Sequence, residues 1–273
     1  MYESYWQLEQ RPFEHSLDHR FYYPGETHQG ALLKLRYAIE NRRGAALLAG
    51  PAGSGKTLLV QILKKQLGDQ CAPFAHVVFP QMTASELLAF LATEMGAIGP
   101  HEPIGTVNDS VRRIQQRLAE SASQGRHVLI AIDEAHLLQD NKTLEALRLL
   151  LNLDNGSTPT LTLLLIGQSG LLPIIDRMPG LEERLAVKCL LRPLTLEESI
   201  SYVSHRLAAA GSKGTIFDPQ ALEALFHLSH GIIRRINRLC DLALLIGYAE
   251  ERATISAEQI EAICQELVAV SPE

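Results

Sequence analysis

The sequence predicts a three-layer α/β domain built on a parallel sheet, followed by a small all-helical domain. Three observations carry this expectation. Short, continuously apolar runs alternate with helical stretches, the pattern of strands buried on both faces. A glycine-rich turn over 50–57 joins the first apolar run directly to a helix. Beyond Arg192-Pro193 the apolar runs stop and only helical periodicity remains, so the domains are expected to be 1–192, including an aromatic N-terminal segment, and 193–273, a helical lid.

Residues 1–43 carry six acidic and six basic side chains together with Tyr2, Tyr5, Trp6, Phe13, Phe21, Tyr22 and Tyr23. A segment so rich in aromatics is expected to lie on the main domain, leading to a helix over 27–41. Strands are expected at 45–49, 75–79, 127–132, 161–166 and 187–190. Helices are expected at 58–67, 84–95, 107–123 and 142–153 in the first part, and at 196–210, 219–228, 232–248 and 257–268 in the second. Thr195-x-x-Glu198 and Ser256-x-x-Gln259 fit capping boxes for the first and last helices of the second part.

Composition narrows the classes of function. With 273 residues, 46% hydrophobic and 21% charged, the chain is globular and not disordered or fibrous. The most apolar stretch, 239–249, is interrupted by Asp241 and is too short to cross a bilayer, which needs about 18 residues or more. The opening MYESYWQLEQ places Glu3 and Glu9 where a secretion signal would be basic and then apolar, which predicts a cytoplasmic protein. Cys71, Cys189, Cys240 and Cys264 form no C-x-x-C pair and read as free thiols. His227 and His230 lack a companion at a zinc-like spacing. A net charge of -6 argues against an indiscriminate nucleic-acid coat, while leaving room for a local basic surface.

The chemistry lies in two motifs. Gly50-Pro51-Ala52-Gly53-Ser54-Gly55-Lys56-Thr57, followed by Leu58, has the G-x-x-x-x-G-K-[ST] spacing between an apolar strand and a helix. In such a P-loop the backbone N–H groups and the helix N-terminus cradle phosphates. Lys56 reaches the β- and γ-phosphates, and the Thr57 hydroxyl binds Mg²⁺. The second motif is the apolar run 128–132 ending in Asp133-Glu134. Two carboxylates at the end of a buried strand need a cation or donors to offset repulsion and desolvation. Asp133 is therefore expected to hold Mg²⁺ and Glu134 to orient the attacking water on ATP. Asp133-Glu134-Ala135-His136 also spells a DEAH box, but the helical residues after Pro193 are the wrong class for the second core domain that a helicase of that kind requires.

Three further polar residues admit two readings each. Gln168 either approaches the γ-phosphate from a strand beside the Asp133 strand, or is an ordinary turn residue in Gly167-Gln168-Ser169-Gly170. Arg184 either projects toward a neighbouring subunit's nucleotide or is a solvated helix arginine. Arg234, Arg238 and Asp241 share a helix face, so that one arginine reaches the phosphates, or Arg238 pairs with Asp241 and Arg234 is solvated.

These residues resemble the AAA+ ATPases of the ExeA type, also called general secretion pathway protein A, and the similar MSHA pilus ATPase. The likeness rests on Pro12-Phe13, Phe21-Tyr22-Tyr23, His28, the P-loop, Ile132-Asp133-Glu134-Ala135, the leucine-rich 144–153, Gly167-Gln168, Arg192-Pro193-Leu194 and Gly231-Ile232-Ile233-Arg234-Arg235-Ile236-Asn237. It implies that Gln168 is sensor 1, Arg184 an arginine finger supplied in trans, and Arg234, or its neighbour Arg235, the sensor 2 arginine. Tyr22 and Tyr23 would lie near the adenine. Ser169-Gly170-Leu171 departs from the Pro-Glu-Leu usual after Gly-Gln in that family. The expected function is Mg²⁺-dependent hydrolysis of ATP to ADP in a ring or filament of copies serving a secretion or pilus machine, with a partner protein at the inner face of the membrane. The alternative is a DNA-dependent transposition helper with a basic surface built from Arg112, Arg113 and Arg117.

Overall fold

The computed structural model describes residues 1–14, 19–97, 105–138, 141–153 and 159–269. They form two compact units. One contains Thr27–Gly50 and Lys56–Leu191, and the other contains Met1–Glu26, Pro51–Gly55 and Arg192–Glu273.

The chain begins its regular structure with α1 (Glu26–Glu40), β1 (Ala45–Ala49), α2 (Lys56–Leu67), β2 (Phe74–Val77), α3 (Ala84–Glu94) and α4 (Val107–Ser123). It continues with β3 (Val128–Ile132), α5 (Asn141–Leu150), β4 (Leu161–Gly167), two short helices α6 (Leu171–Asp176) and α7 (Pro179–Glu182), and β5 (Leu185–Leu190). The five strands are all parallel, in the order β2-β3-β4-β1-β5. β1, β3 and β4 are buried at every residue, so both faces of the sheet centre are covered. The edge strands β2 and β5 alternate instead.

Two differences from the expected strands have a physical cause. β2 stops at Val77, because its sole neighbour β3 ends opposite at Ile132. Val78 and Phe79 lie beyond the strand and are 64% and 61% exposed. β5 begins two residues earlier than expected, at Leu185, because the β1–β5 register shifts between Ala45 and Ala46 and takes up Ala186 as a bulge. Thr162, the polar residue inside β4, is satisfied by donating to the Arg43 carbonyl at 2.6 Å.

The second unit holds α8 (Leu196–Ala209), α9 (Pro219–Ser229), α10 (Ile233–Ala249) and α11 (Ala257–Ala269). The Thr195/Glu198 capping box is present in both directions, and the Ser256 N–H donates to Gln259 Oε1 at 3.1 Å. The Glu198 carboxylate also takes Arg192 and the Glu26 N–H. The aromatic N-terminal segment packs in this helical core and not on the α/β domain to which the sequence reading attached it. Trp6 is buried, donates its indole N–H to the Leu244 carbonyl at 2.9 Å and lies against Gly247 of α10. Phe13 meets Phe217 edge-on, and the Tyr2 hydroxyl bonds Asp241. Asp241 is thus partnered by Tyr2, where the sequence had offered Arg238 as its partner. The physical reason is that α8–α11 leave an apolar surface which four helices alone do not close.

Gly231 has a left-handed backbone (φ +70°), and a Cβ there would overlap the Leu194 carbonyl oxygen, while the Leu194 N–H donates to the Gly231 carbonyl at 2.9 Å. Gly30, inside α1, has nothing within 4 Å of such a Cβ. The same substitution should therefore act with opposite signs. Gly231→Ala should destabilise by at least about 2 kcal/mol, and Gly30→Ala should stabilise by about 0.5–1 kcal/mol. Urea unfolding followed by circular dichroism checks both; a neutral Gly231→Ala would contradict the packing at Leu194.

Candidate functional site

The parallel sheet brings the C-terminal ends of β1, β3 and β4 to one edge, where ligands of open α/β sheets bind. Lys56 and Thr57, the last two residues of the P-loop, open α2. Lys56 is buried and donates from Nζ to the Gly50 carbonyl at 3.0 Å. The Thr57 hydroxyl donates to Asp133 Oδ2 at 2.7 Å. Leu58, the next residue, is half-buried.

Asp133 is 4% exposed at the end of β3. Its other oxygen accepts the Glu134 N–H at 2.9 Å, and its own N–H donates to the Val77 carbonyl at 2.8 Å. Burial raises its pKa, but the His76 ring, the Thr57 hydroxyl and the Glu134 N–H lower it by more, so the carboxyl sits below its ordinary range. The donor set is a hydroxyl and an ionised carboxylate side by side, both hard oxygens, which fits Mg²⁺ and not a soft metal. His76 was missed by the sequence reading. Its Nε2 is buried, makes no hydrogen bond and stands 3.8 Å from Asp133 Oδ2, and its Nδ1 lies 3.4 Å from Gln61 Nε2. The only signal for it was a titratable residue inside the apolar run Phe74–Val77.

Glu134 has a left-handed backbone (φ 50°, ψ 34°), a conformation that costs a non-glycine residue on the order of 1 kcal/mol or more. This turns its half-exposed carboxylate away from the strand axis, and Oε2 comes to 3.3 Å from His136 Nδ1. Gln168 follows β4, which does lie beside β3, and its N–H donates to the same His136 Nδ1 at 3.3 Å. Sequence reasoning named Glu134 and Gln168 and missed the residue between them.

In the helical unit, P-loop residues Pro51–Gly55 meet the start of α10. The Arg234 N–H donates to the Gly53 carbonyl at 3.1 Å. Gly53 has φ +76°, and a Cβ there would stand 2.7 Å from Arg234 Cβ, so both the turn and the approach require glycine. Of the two arginines the sequence left open, Arg234 makes this contact, while the Arg235 N–H turns back to the Ile232 carbonyl at 2.9 Å. Ser54 is buried in the loop. Tyr22 is half-buried with a hydroxyl that makes no hydrogen bond, and burial raises its pKa. Tyr23 packs edge-on against Tyr202 at 5.8 Å and tilted against His205 at 5.9 Å.

Arg184 is partly buried and held within its own chain: Nη2 donates to Asn152 Oδ1 at 2.5 Å and Nη1 to the Leu151 carbonyl at 3.5 Å. On α4, Arg117 is tied back to the Met95 carbonyl at 2.9 Å and to Glu120 at 3.4 Å. Among the described residues no helix is long and apolar enough to cross a membrane. The described cysteines carry free thiols, with Cys189 and Cys240 buried.

Comparison with known proteins agrees with this geometry. A family model described as an AAA domain matches residues 39–175, half of the chain. General secretion pathway protein A of Aeromonas hydrophila is 33% identical over 252 residues, covering 91% of this chain. The chain spans 45% of that relative's length. Among solved structures, the ORC2 protein of Aeropyrum pernix, in its ADPNP-ADP complexes, aligns with a TM-score of 0.68 at 17% identity, over 94% of this chain and 72% of its own. Cdc6p of Pyrobaculum aerophilum aligns with a TM-score of 0.69 at 15% identity, over 89% and 67%. The RuvB branch migration motor of Thermotoga maritima gives 0.61 at 20%, over 96% and 74%. Those three likenesses establish the α/β P-loop fold alone, while the family model and the relative from Aeromonas hydrophila show that the chain belongs to the AAA family, as an AAA+ ATPase related to general secretion pathway protein A.

Proposed function

We propose that the chain hydrolyses ATP to ADP and phosphate in a Mg²⁺-dependent reaction within an assembly of its own copies. The observation that carries this is the Thr57–Asp133 pair beside Glu134 at the sheet edge. Residues 50–57 would hold the phosphates through backbone N–H groups, with Lys56 on the β- and γ-phosphates. Thr57 and Asp133 would hold the metal ion, which neutralises charge on the phosphate oxygens when bound. Glu134 orients and polarises the attacking water, and the Gln168 side chain assists from the end of the neighbouring strand. Arg234 couples α10 to the nucleotide, a reading supported by its contact with Gly53. Tyr22 and Tyr23 flank the adenine.

Arg184 is proposed to act on the nucleotide of an adjacent subunit, where it stabilises charge on the transferred phosphoryl group. In this chain its guanidinium donates to Asn152 and the Leu151 carbonyl, bonds it would exchange for the neighbour's phosphate. The assembly, a ring or filament, would serve a secretion or pilus machine through a protein partner, working in the cytoplasm at the inner face of the membrane. Support for that setting is the identity to general secretion pathway protein A along 91% of this chain. The DNA-dependent alternative has less support, since Arg117, one of the three arginines it needs, is engaged by Met95 and Glu120.

Three outcomes are expected in steady-state ATP hydrolysis. Glu134→Gln should lower kcat by about a hundredfold or more with ATP binding retained. Turnover per chain should rise with protein concentration and be indifferent to duplex DNA at low salt; stimulation by DNA that fades as salt rises would favour the alternative. Arg184→Ala should also be inactive, yet mixing it with Glu134→Gln should restore part of the activity. In mixed assemblies an intact Arg184 then faces an intact Glu134, and no recovery on mixing would contradict action in trans.

A further inference from the structure

His136 has no part in the proposed hydrolysis, yet three contacts converge on it. Its Nδ1 accepts the Gln168 N–H at 3.3 Å. The same atom stands 3.3 Å from Glu134 Oε2. The approach is permitted by Gly167, where a Cβ would come within 3.2 Å of His136 N and 3.4 Å of Nδ1. Gly167, the last residue of β4, thus leaves room for this imidazole at the strand end, which gives the Gly167-Gln168 pair a physical reason.

One ring nitrogen cannot serve both neighbours. With the proton on Nε2, Nδ1 offers a lone pair, accepts the Gln168 N–H and can give nothing to a carboxylate except lone-pair repulsion. With a proton on Nδ1, the ring donates to Glu134 and must release the Gln168 amide. The two arrangements exclude each other, and they connect the carboxylate at the end of β3 with the main chain at the end of β4. Neither partner has an alternative on the ring, because both face Nδ1. The left-handed backbone of Glu134 keeps its side chain on this side, so the competition is built into the turn.

We infer that His136 is a positioning residue that sets the Glu134 carboxylate against the Gln168 main chain: while Nδ1 holds the Gln168 N–H the ring turns Glu134 toward the water, with a proton on Nδ1 the ring draws Glu134 to itself, and without the ring the carboxylate has no set direction. The inference rests on the hydrolytic reading above. It concerns where Glu134 points and not the binding of nucleotide.

The test compares His136→Ala with His136→Asn, whose side-chain oxygen stands where Nδ1 stood and accepts the same N–H. Two readouts are taken on the full chain: steady-state ATP hydrolysis with ATP affinity, and hydrogen exchange at the Gln168 amide. His136→Ala is expected to lower kcat about tenfold or more with ATP affinity within about twofold of wild type, while His136→Asn stays within about threefold in kcat. In the Glu134→Gln background His136→Ala should have no further effect on rate, because it acts through Glu134. The Gln168 amide should exchange at least about tenfold faster in His136→Ala and not in His136→Asn. Equal kcat in wild type and His136→Ala overturns the inference. So does a loss of ATP affinity and thermal stability that His136→Asn fails to rescue, the mark of a merely structural residue. A wild-type rate no higher than that of Glu134→Gln would sink the hydrolytic reading itself. Unchanged Gln168 exchange in His136→Ala sinks this inference alone.

Discussion

A carboxylate that is 4% exposed at the end of a fully buried strand is the constraint on which this molecule turns. Asp133 cannot stay ionised there without compensation, and the compensation is specific: the Thr57 hydroxyl from the start of α2, the Glu134 N–H from the next turn, and the His76 ring from the neighbouring strand. Together these neighbours outweigh burial and hold the carboxyl below its ordinary pKa. The arrangement requires β2, β3 and β1 to be parallel, with β2 and β3 ending opposite each other, which is what the sheet supplies. The fold is in this sense a device for presenting one charged group next to one hydroxyl at a fixed distance.

Close approach by glycine is the second theme. Gly53 lets α10 rest its Arg234 backbone on the P-loop, and Gly167 lets an imidazole reach the end of β4. In both places the missing side chain permits a contact between a motif and a residue far from it in sequence. Glycines of such loops are usually explained by a ligand alone; here Gly53 is required by the protein's own packing.

Much of this was legible in the sequence. The ranges of β1 and α4 follow from the residues without correction, because a run such as AALLA between glycines and a capped amphipathic stretch each admit one reading. Thr57, Asp133 and Glu134 were legible as neighbours because their spacing and setting bring the start of α2 to the end of β3. What escaped depends on partners. The end of β2 was set by the end of β3, and the start of β5 by a bulge against β1. The aromatic segment was visibly too apolar to be free, but nothing in it says that Trp6 belongs against Gly247. His136 was visible only as the last letter of a DEAH box, since the residues that give it meaning lie on another strand. Helices α6 and α7 are too short to carry a periodicity.

The central claim is that Thr57 and Asp133 form a divalent-cation site which works together with the P-loop. The most direct test is calorimetric titration of a non-hydrolysable ATP analogue with and without Mg²⁺, in wild type and in Asp133→Asn. The account predicts that removing Mg²⁺ weakens binding to the wild type by about tenfold or more and leaves Asp133→Asn nearly unchanged. An equal Mg²⁺ dependence in both proteins would contradict it.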